Sequence, residues 1–289
     1  MIPPAFEYLR PGTIPEAISL LEQHGDDAKI LSGGQSLIPM MKLRLARPAY
    51  LVDINRIPGL AYIKEEGGFL RIGGLTRESE LEASLLIRSK YPILHETTQV
   101  IADPQVRNLA TVAGNLAHGD PANDHPATML AVGAQVVATG SNGERVIPIE
   151  EFFVSLFSTA LQPSEILTEI RVPVPAARSG GAYFKLERKV GDFATAAVAA
   201  QVTLDSNGAV QTAGIALTNV GPTPIKARKA EEFLSGKKLD ETTISQAAQL
   251  AGDESQPSAD LRGPVEYKKA LVKELAKRAL WRAAERARK

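Results

Sequence analysis

The chain has no cysteine. That excludes disulfides, thiolate metal sites, cysteine-ligated iron–sulfur clusters and a cysteine nucleophile. It lacks an excess of either charge, because 33 Lys and Arg balance 33 Asp and Glu. No global basic field therefore draws nucleic acid. No apolar run approaches the ~20 residues needed to span a bilayer. The opening MIPPAFEYLRPGTIPEA has neither the basic n-region nor the apolar h-region of a secretory signal. A cytoplasmic protein is the expectation. The rest is ordinary for a globular chain: 289 residues, 44% hydrophobic and 23% charged, are enough for two or three domains.

Two small-residue loops stand out, LSGGQS at 31–36 and TVAGN at 111–115. Gly33 and Gly34 can adopt positive φ and let the backbone approach a ligand closely. Successive N–H groups in such a turn form an anion-binding concavity. Ser36 opens SLIPMMKLRL, a segment able to start a helix and aim its first amides at a phosphate. Thr111, Gly114 and Asn115 repeat the chemistry. Two such cradles fit one diphosphate held between two lobes. Neither loop is a GxGxxG fingerprint or a P-loop, since the first lacks the third glycine and the lysine.

The N-terminal segment carries a T-x-x-E capping box at Thr13 and Glu16, with Pro15 in the first turn. Ile14, Ala17, Ile18 and Leu21 follow at helical spacing, and Gly25 suits the C′ position. Strands are expected at Ala28–Leu31, Leu51–Ile54, Phe69–Gly73 and Ala131–Thr139, with a hairpin turn at Asn142-Gly143. Helices are expected from a Thr76 cap through Leu81, and over Ile93–Ala102 before Pro104. VPVPAARSGG at 172–181 reads as a linker. Beyond it come strands Tyr183–Lys189, Ala196–Leu204 and Val210–Thr218, with a turn at Ser206-Asn207-Gly208. Helices Ile225–Leu234, Thr242–Ala251 and Tyr267–Arg286 close the chain. This pattern is α/β or α+β with a separate C-terminal domain of three antiparallel strands and helices. The nine basic residues of the last helix read as a solvated face whose cations suit the helix dipole, with a docking site for an acidic partner as the alternative.

Polar groups gather after the second loop: His118, Asp120, Asn123, Asp124 and His125. Their spacing matches no metal motif, and Pro121 and Pro126 fix the turns. A polar wall for a sugar-like ligand is the preferred reading, because carboxylates accept from several hydroxyls. A third candidate is KLERKVGDFAT at 185–195, where a Gly191-Asp192 turn exposes Phe193 for core packing or for stacking on a flat ring. No Ser-His-Asp or Cys-His arrangement supports nucleophilic catalysis, so no residue is assigned a catalytic role.

Taken together, FEYLRP, LSGGQSLIPMMKLRLARP, IADPQVRN, TVAGNLAHGDPANDHPA, EILTEIRVP, KLERKVGDFATAA and IALTNV resemble the flavoprotein (medium) subunits of the molybdenum hydroxylases, most like those of aerobic carbon monoxide dehydrogenase. The resemblance spans the chain. It implies an α+β fold: a two-lobed FAD-binding domain of the vanillyl-alcohol-oxidase (PCMH) type over 1–177, with lobes 1–57 and 58–177, then a small C-terminal domain over 178–289. It implies that Ser32, Gly33, Gly34, Gln35 and Ser36, with Thr111, Ala113, Gly114 and Asn115, bind the FAD pyrophosphate. It implies that Asp124 bonds ribityl or adjoining hydroxyls, and it places Ile101, Leu167, Lys185 and Phe193 near the flavin. It further implies a small subunit with two [2Fe–2S] clusters, a large molybdenum-cofactor subunit, a dimer of such heterotrimers, and a place at the inner face of the membrane through that complex.

Three positions depart from the family pattern. Gln35 stands for the usual His, Ala113 for the first glycine of the second loop, and Phe193 for a common Tyr. Ala113 is expected to strain a backbone that needs positive φ. The alternatives are a free-standing flavin oxidase or reductase, which needs an acid or base beside the flavin, and a non-redox nucleotide-binding protein.

Overall fold

The computed structural model describes residues 2–289. The first lobe is a three-stranded parallel sheet, ordered Glu7–Leu9, Tyr50–Asp53, Ala28–Leu31, under the helix Ile14–His24. The helix starts at Thr13, whose Oγ1 accepts from the Glu16 N–H at 3.3 Å. The Glu16 carboxylate accepts from Gly12, one residue before the cap, at 2.7 Å. Gly25 ends it at φ 52°. Ala17, Ile18 and Leu21 bury against Val52 and Ile54, as their 3.6-residue period requires.

The second lobe is a five-stranded antiparallel sheet, ordered Ile63–Glu66, Phe69–Gly73, Ile166–Pro173, Gln135–Gly140, Gly143–Pro148. Six short helices between Glu78 and Val132 fill the space beside it. Three expectations change here. Thr76 does not cap a helix; its Oγ1 donates to the Tyr62 carbonyl at 2.9 Å, and the cap passes to Arg77, whose N–H donates to Glu80 at 2.7 Å. The Ile93–Ala102 run is helical only over Pro92–Gln99; Ala102 turns to φ 46° and Asp103 caps a new turn, Pro104–Arg107. Ala131 and Val132 finish the helix Asp124–Val132, which Gly133 stops in the left-handed region at φ 66°, so the strand begins at Gln135.

The linker is shorter than expected. The strand Ile166–Pro173 runs into it and the strand Ser179–Glu187 starts within it. The C-terminal sheet is antiparallel in the order Ser179–Glu187, Ala194–Leu204, Val210–Thr218, Ile225–Lys226. The last pairing corrects two expectations: there are four strands, and the helix predicted from Ile225 begins at Arg228. The middle strand, ATAAVAAQVTL, alternates between two cores. Ala196, Val198, Ala200 and Val202 pack on the helices Glu241–Glu254 and Val265–Ala287. Ala197 and Ala199, with Tyr183 and Ala216, join the core of the second lobe, where the helix Asp124–Val132 lies on the sheet. Approach is close on both faces: a Cβ on Gly180 would lie 2.1 Å from the Ala283 carbonyl, and one on Gly214 would lie 1.9 Å from that of Ala131. The last helix buries its alanine and leucine face, from Val272 to Ala287, and leaves most of its cations outward.

Candidate functional site

Both small-residue loops open onto one cleft of about 510 Å³ between the lobes, and the C-terminal domain forms its far end. Ser32, Gly33, Gly34, Gln35 and Ser36 line it from the loop after the strand Ala28–Leu31. Thr111, Ala113, Gly114 and Asn115 face them, and Ile101, Asp124, Leu167, Lys185 and Phe193 line the remainder.

The two loops touch. Ser32 Oγ and Thr111 Oγ1 share a hydrogen bond of 2.9 Å. Only Gly34 takes positive φ, at 72°. Gly33 is required for a different reason from the one expected: a Cβ there would lie 2.4 Å from the Leu109 carbonyl oxygen and 2.7 Å from the Ala110 Cα. Asn55 Nδ2 donates to the Ser32 carbonyl at 2.8 Å, and Arg77 Nη2 donates to Asn55 Oδ1 at 2.6 Å. Arg77 Nη1 also donates to the Leu109 carbonyl. One half-buried arginine thus ties the first loop to the backbone leading into the second. Gln35 Nε2 turns back to the Gly33 carbonyl at 3.1 Å. Ser36 sits at the N-cap of the helix Leu37–Lys42 without a capping hydrogen bond.

The second loop is a capped helix start. Thr111 Oγ1 accepts from the Gly114 N–H at 3.1 Å and opens the helix Val112–Ala117. Ala113 lies inside that helix and is buried, so its β-carbon fits a right-handed backbone and the expected strain is absent. Two observations favour a ligand between the loops, the first an anion and the second a group that donates a hydrogen bond. No backbone N–H of residues 33–36 donates to a protein acceptor among the described residues, and successive free amides form an anion nest. Asn115 Oδ1 is buried without a hydrogen-bond partner, while its carbonyl accepts from Asn123 Nδ2 at 2.7 Å. These groups fit a phosphate-bearing ligand rich in hydroxyls.

The far end is charged and buried. Lys185 Nζ donates to Asp124 Oδ2 and to the Val100 carbonyl, both at 2.9 Å. Tyr183 OH donates to Asp124 Oδ1 at 2.6 Å. Burial pushes the Asp124 carboxyl up, opposed by the Lys185 charge and the Tyr183 hydroxyl. Burial and the Asp124 charge push the Tyr183 phenol well up. Both Asp124 oxygens are therefore engaged inside the chain, with spare lone pairs for a ligand hydroxyl. Arg107 Nη1 donates to the Ile101 carbonyl at 3.0 Å and fixes that wall. Leu167 is buried on the strand Ile166–Pro173, whereas Phe193 is 48% exposed at the mouth.

Sequence reasoning missed Tyr183, because no local pattern joins it to a carboxylate 59 residues away. It also missed the Asn55–Arg77 bridge. Asn123 lay inside a segment already marked as polar. His125 turns into the core, with Nε2 2.8 Å from Glu78 Oε2 and both side chains fully buried. His118 lines the cleft beside Phe157, and burial lowers its pKa. Among the described residues no group of three His, Asp or Glu is placed to hold a metal ion, and no helix is long and apolar enough to cross a membrane.

Residues 4–175 match the family described as the FAD binding domain in molybdopterin dehydrogenase, and residues 181–283 match the CO dehydrogenase flavoprotein C-terminal domain. The carbon monoxide dehydrogenase medium chain of Hydrogenophaga pseudoflava is 47% identical over 280 residues, covering 97% of each chain. The 6-hydroxypseudooxynicotine dehydrogenase complex subunit alpha of Paenarthrobacter nicotinovorans is 40% identical over 288 residues, 100% of this chain and 97% of that one. A solved carbon monoxide dehydrogenase structure from Hydrogenophaga pseudoflava superimposes with a TM-score of 0.96 at 49% identity, covering 99% of both chains.

Proposed function

Because the chain belongs to the FAD-binding medium subunits of the molybdopterin dehydrogenases, we propose that its cleft holds one FAD noncovalently and serves electron transfer within a molybdenum hydroxylase complex. FAD is the cofactor, and the chain is an oxidoreductase subunit of the carbon monoxide dehydrogenase type. When bound there, FAD would supply the electron-carrying chemistry. In this reading electrons come from [2Fe–2S] clusters on a small subunit beside a molybdenum-cofactor large subunit, and they leave to a quinone or another acceptor. The partners form a dimer of heterotrimers in the cytoplasm, at the inner face of the membrane. Residues 1–177 bind the cofactor and 178–289 complete its far wall.

The chain's own work is binding and orientation. Free amides at 33–36 and the Thr111-capped turn hold the pyrophosphate. Asp124 accepts from hydroxyls. Ile101, Leu167, Lys185 and Phe193 surround the flavin. The observation that carries the reading is the pair of loops meeting across one cleft, with unpaired amides in the first and an unpartnered Asn115 Oδ1 in the second. A free-standing oxidase is disfavoured because Asp124 and Lys185, the buried titratable pair at the flavin end, already satisfy each other. Noncovalent attachment is the reading because no cysteine exists for a thioether link and neither His118 nor His125 occupies a recognised flavinylation motif.

Acid denaturation of the purified yellow protein should release one FAD per chain into the supernatant. A yellow precipitate would overturn noncovalent attachment. Native chain that takes up no FAD would overturn the reading itself.

A further inference from the structure

The mouth of the cleft at Phe193 is a loop with little packing of its own: Val190 is 94% exposed. One carboxylate organises it. Asp192 Oδ1 accepts from the Phe193 N–H at 2.8 Å and from Arg262 Nη2 at 3.0 Å, and Oδ2 accepts from Arg188 Nε at 3.1 Å. Arg262 arrives from another part of the chain, the turn Asp260–Gly263, closed by reciprocal backbone bonds of 3.2 and 3.1 Å. That turn is anchored in its own way. Asp260 Oδ1 accepts from the Arg262 N–H at 2.8 Å, and Asp260 Oδ2 pairs with Lys268 Nζ at 2.8 Å. Lys268 is buried on the last helix and donates also to the Ser258 carbonyl at 2.9 Å. A continuous line of contacts, Lys268–Asp260–Arg262–Asp192, thus ends at the backbone of Phe193.

The two arginines on Asp192 are unequal. Arg188 is 54% exposed and belongs to the same loop, so its pair is weak and adds no anchor. Arg262 is 23% exposed and meets a carboxylate that is 12% exposed. Its Nε is buried without an acceptor, so Asp192 is the partner that fixes the guanidinium. Burial alone would raise the Asp192 carboxyl, but Arg262 and Arg188 together hold it below the usual range.

We propose that Arg262 is a positioning residue for the cofactor site: through Asp192 it holds Phe193 over the flavin end of the cleft. It touches no reacting group. The proposal rests on the reading of this cleft as the FAD site. It makes the last helix, remote in sequence, a determinant of how far solvent reaches the flavin.

The test is acrylamide quenching of flavin fluorescence in the FAD-loaded full-length chain. Phe193→Ala should raise the quenching constant. Arg262→Ala and Asp192→Asn should raise it toward the same value, about two- to fivefold, the scale expected for loss of one partly buried ion pair. FAD content and far-ultraviolet dichroism should stay parental in Arg262→Ala and Asp192→Asn, and Arg262→Lys should recover part of the shielding. A merely structural arginine would leave quenching unmoved. If Phe193→Ala raises quenching while Arg262→Ala and Asp192→Asn do not, the linkage is wrong although the shield stands. If Phe193→Ala changes nothing, the shield and the proposal fall together, while unaltered FAD binding keeps the proposed function. Asp192→Asn is nearly isosteric and reads the same contact should Arg262→Ala fail to fold.

Discussion

The glycine-loop wall of the cleft and the wall around Asp124 hold the same space by opposite means. The loops carry no titratable side chain: they are Ser, Gly, Gly, Gln, Ser on one side and Thr, Val, Ala, Gly, Asn on the other. They present backbone amides, and their shape comes from steric contact between Gly33 and the Leu109–Thr111 backbone. The Asp124 wall is made of long side chains whose charges cancel inside the protein, with Lys185 only 2% and Asp124 only 7% exposed. One wall is therefore sensitive to volume and indifferent to pH. The other tolerates changes of shape better than changes of charge.

The largest effect should come from breaking the charged wall on one side only. Lys185→Met keeps the aliphatic stem but strands the Asp124 carboxylate, which costs about 3–5 kcal/mol when a buried pair loses one partner. Urea unfolding of the variant with and without FAD measures it. A loss below about 1 kcal/mol would mean that charge does not hold this wall.

The glycine wall is tested by volume. Gly33→Val must part the two loops and break the Ser32–Thr111 bond, at about 2–4 kcal/mol, within the range of severe packing and backbone changes. Gly34→Ala meets only the flexible side-chain ends of Ile38, at 2.9 Å, and Leu31, at 3.1 Å, and adds the strain of φ 72°. That strain is about 1–2 kcal/mol. FAD titration should thus rank Gly33→Val well below Gly34→Ala in affinity. Equal losses would show that positive φ, not contact between the loops, governs the first loop.

The smallest effect concerns protons. Burial raises the Asp124 carboxyl above its unfolded value. The folded chain then holds that proton more tightly than the unfolded chain does. The contribution of Asp124 to stability is fully present below the ordinary aspartate range and is lost as pH rises through the raised value. Asp124→Asn should flatten this part of the plot of Tm against pH, and Gly34→Ala should leave its slope parental. A slope unchanged in Asp124→Asn would assign the titration to another group.

Local rules of period and turn were enough wherever one segment decided its own structure. Phe69–Gly73 and Val210–Thr218 were legible to the residue, and the hairpin turns at Ser141-Asn142, one residue before the expected Asn142-Gly143, with Gly140 paired to Gly143. They failed where a distant group intervened. Thr76 was drawn off its cap by the Tyr62 carbonyl. The fourth strand, Ile225–Lys226, exists because Ala216 and Leu217 offer it an edge. The late start of the strand expected from Ala131 is a different kind of miss, since Gly133, the stop of the helix before it, stood in plain view. At the site, small residues and isolated polar groups were visible as types. Their reasons were not: Gly33 answers to Leu109, and Asp124 to Tyr183, across separations that no periodicity encodes.

The alternating alanines of the strand Ala194–Leu204 bear on modularity. The matches to two family descriptions meet between residues 175 and 181, which suggests parts that evolution or an engineer might exchange at will. Yet Ala197, Ala199 and Tyr183 sit in the same apolar core as Leu94, Ala127 and Ala131, and Gly214 lets the Ala131 carbonyl rest almost on the sheet backbone. A C-terminal half grafted from a relative must bring side chains equally small on that face, or the helix that carries Asp124 is lifted away from Lys185. Interchangeability here is limited by the width of a methyl group rather than by the linker.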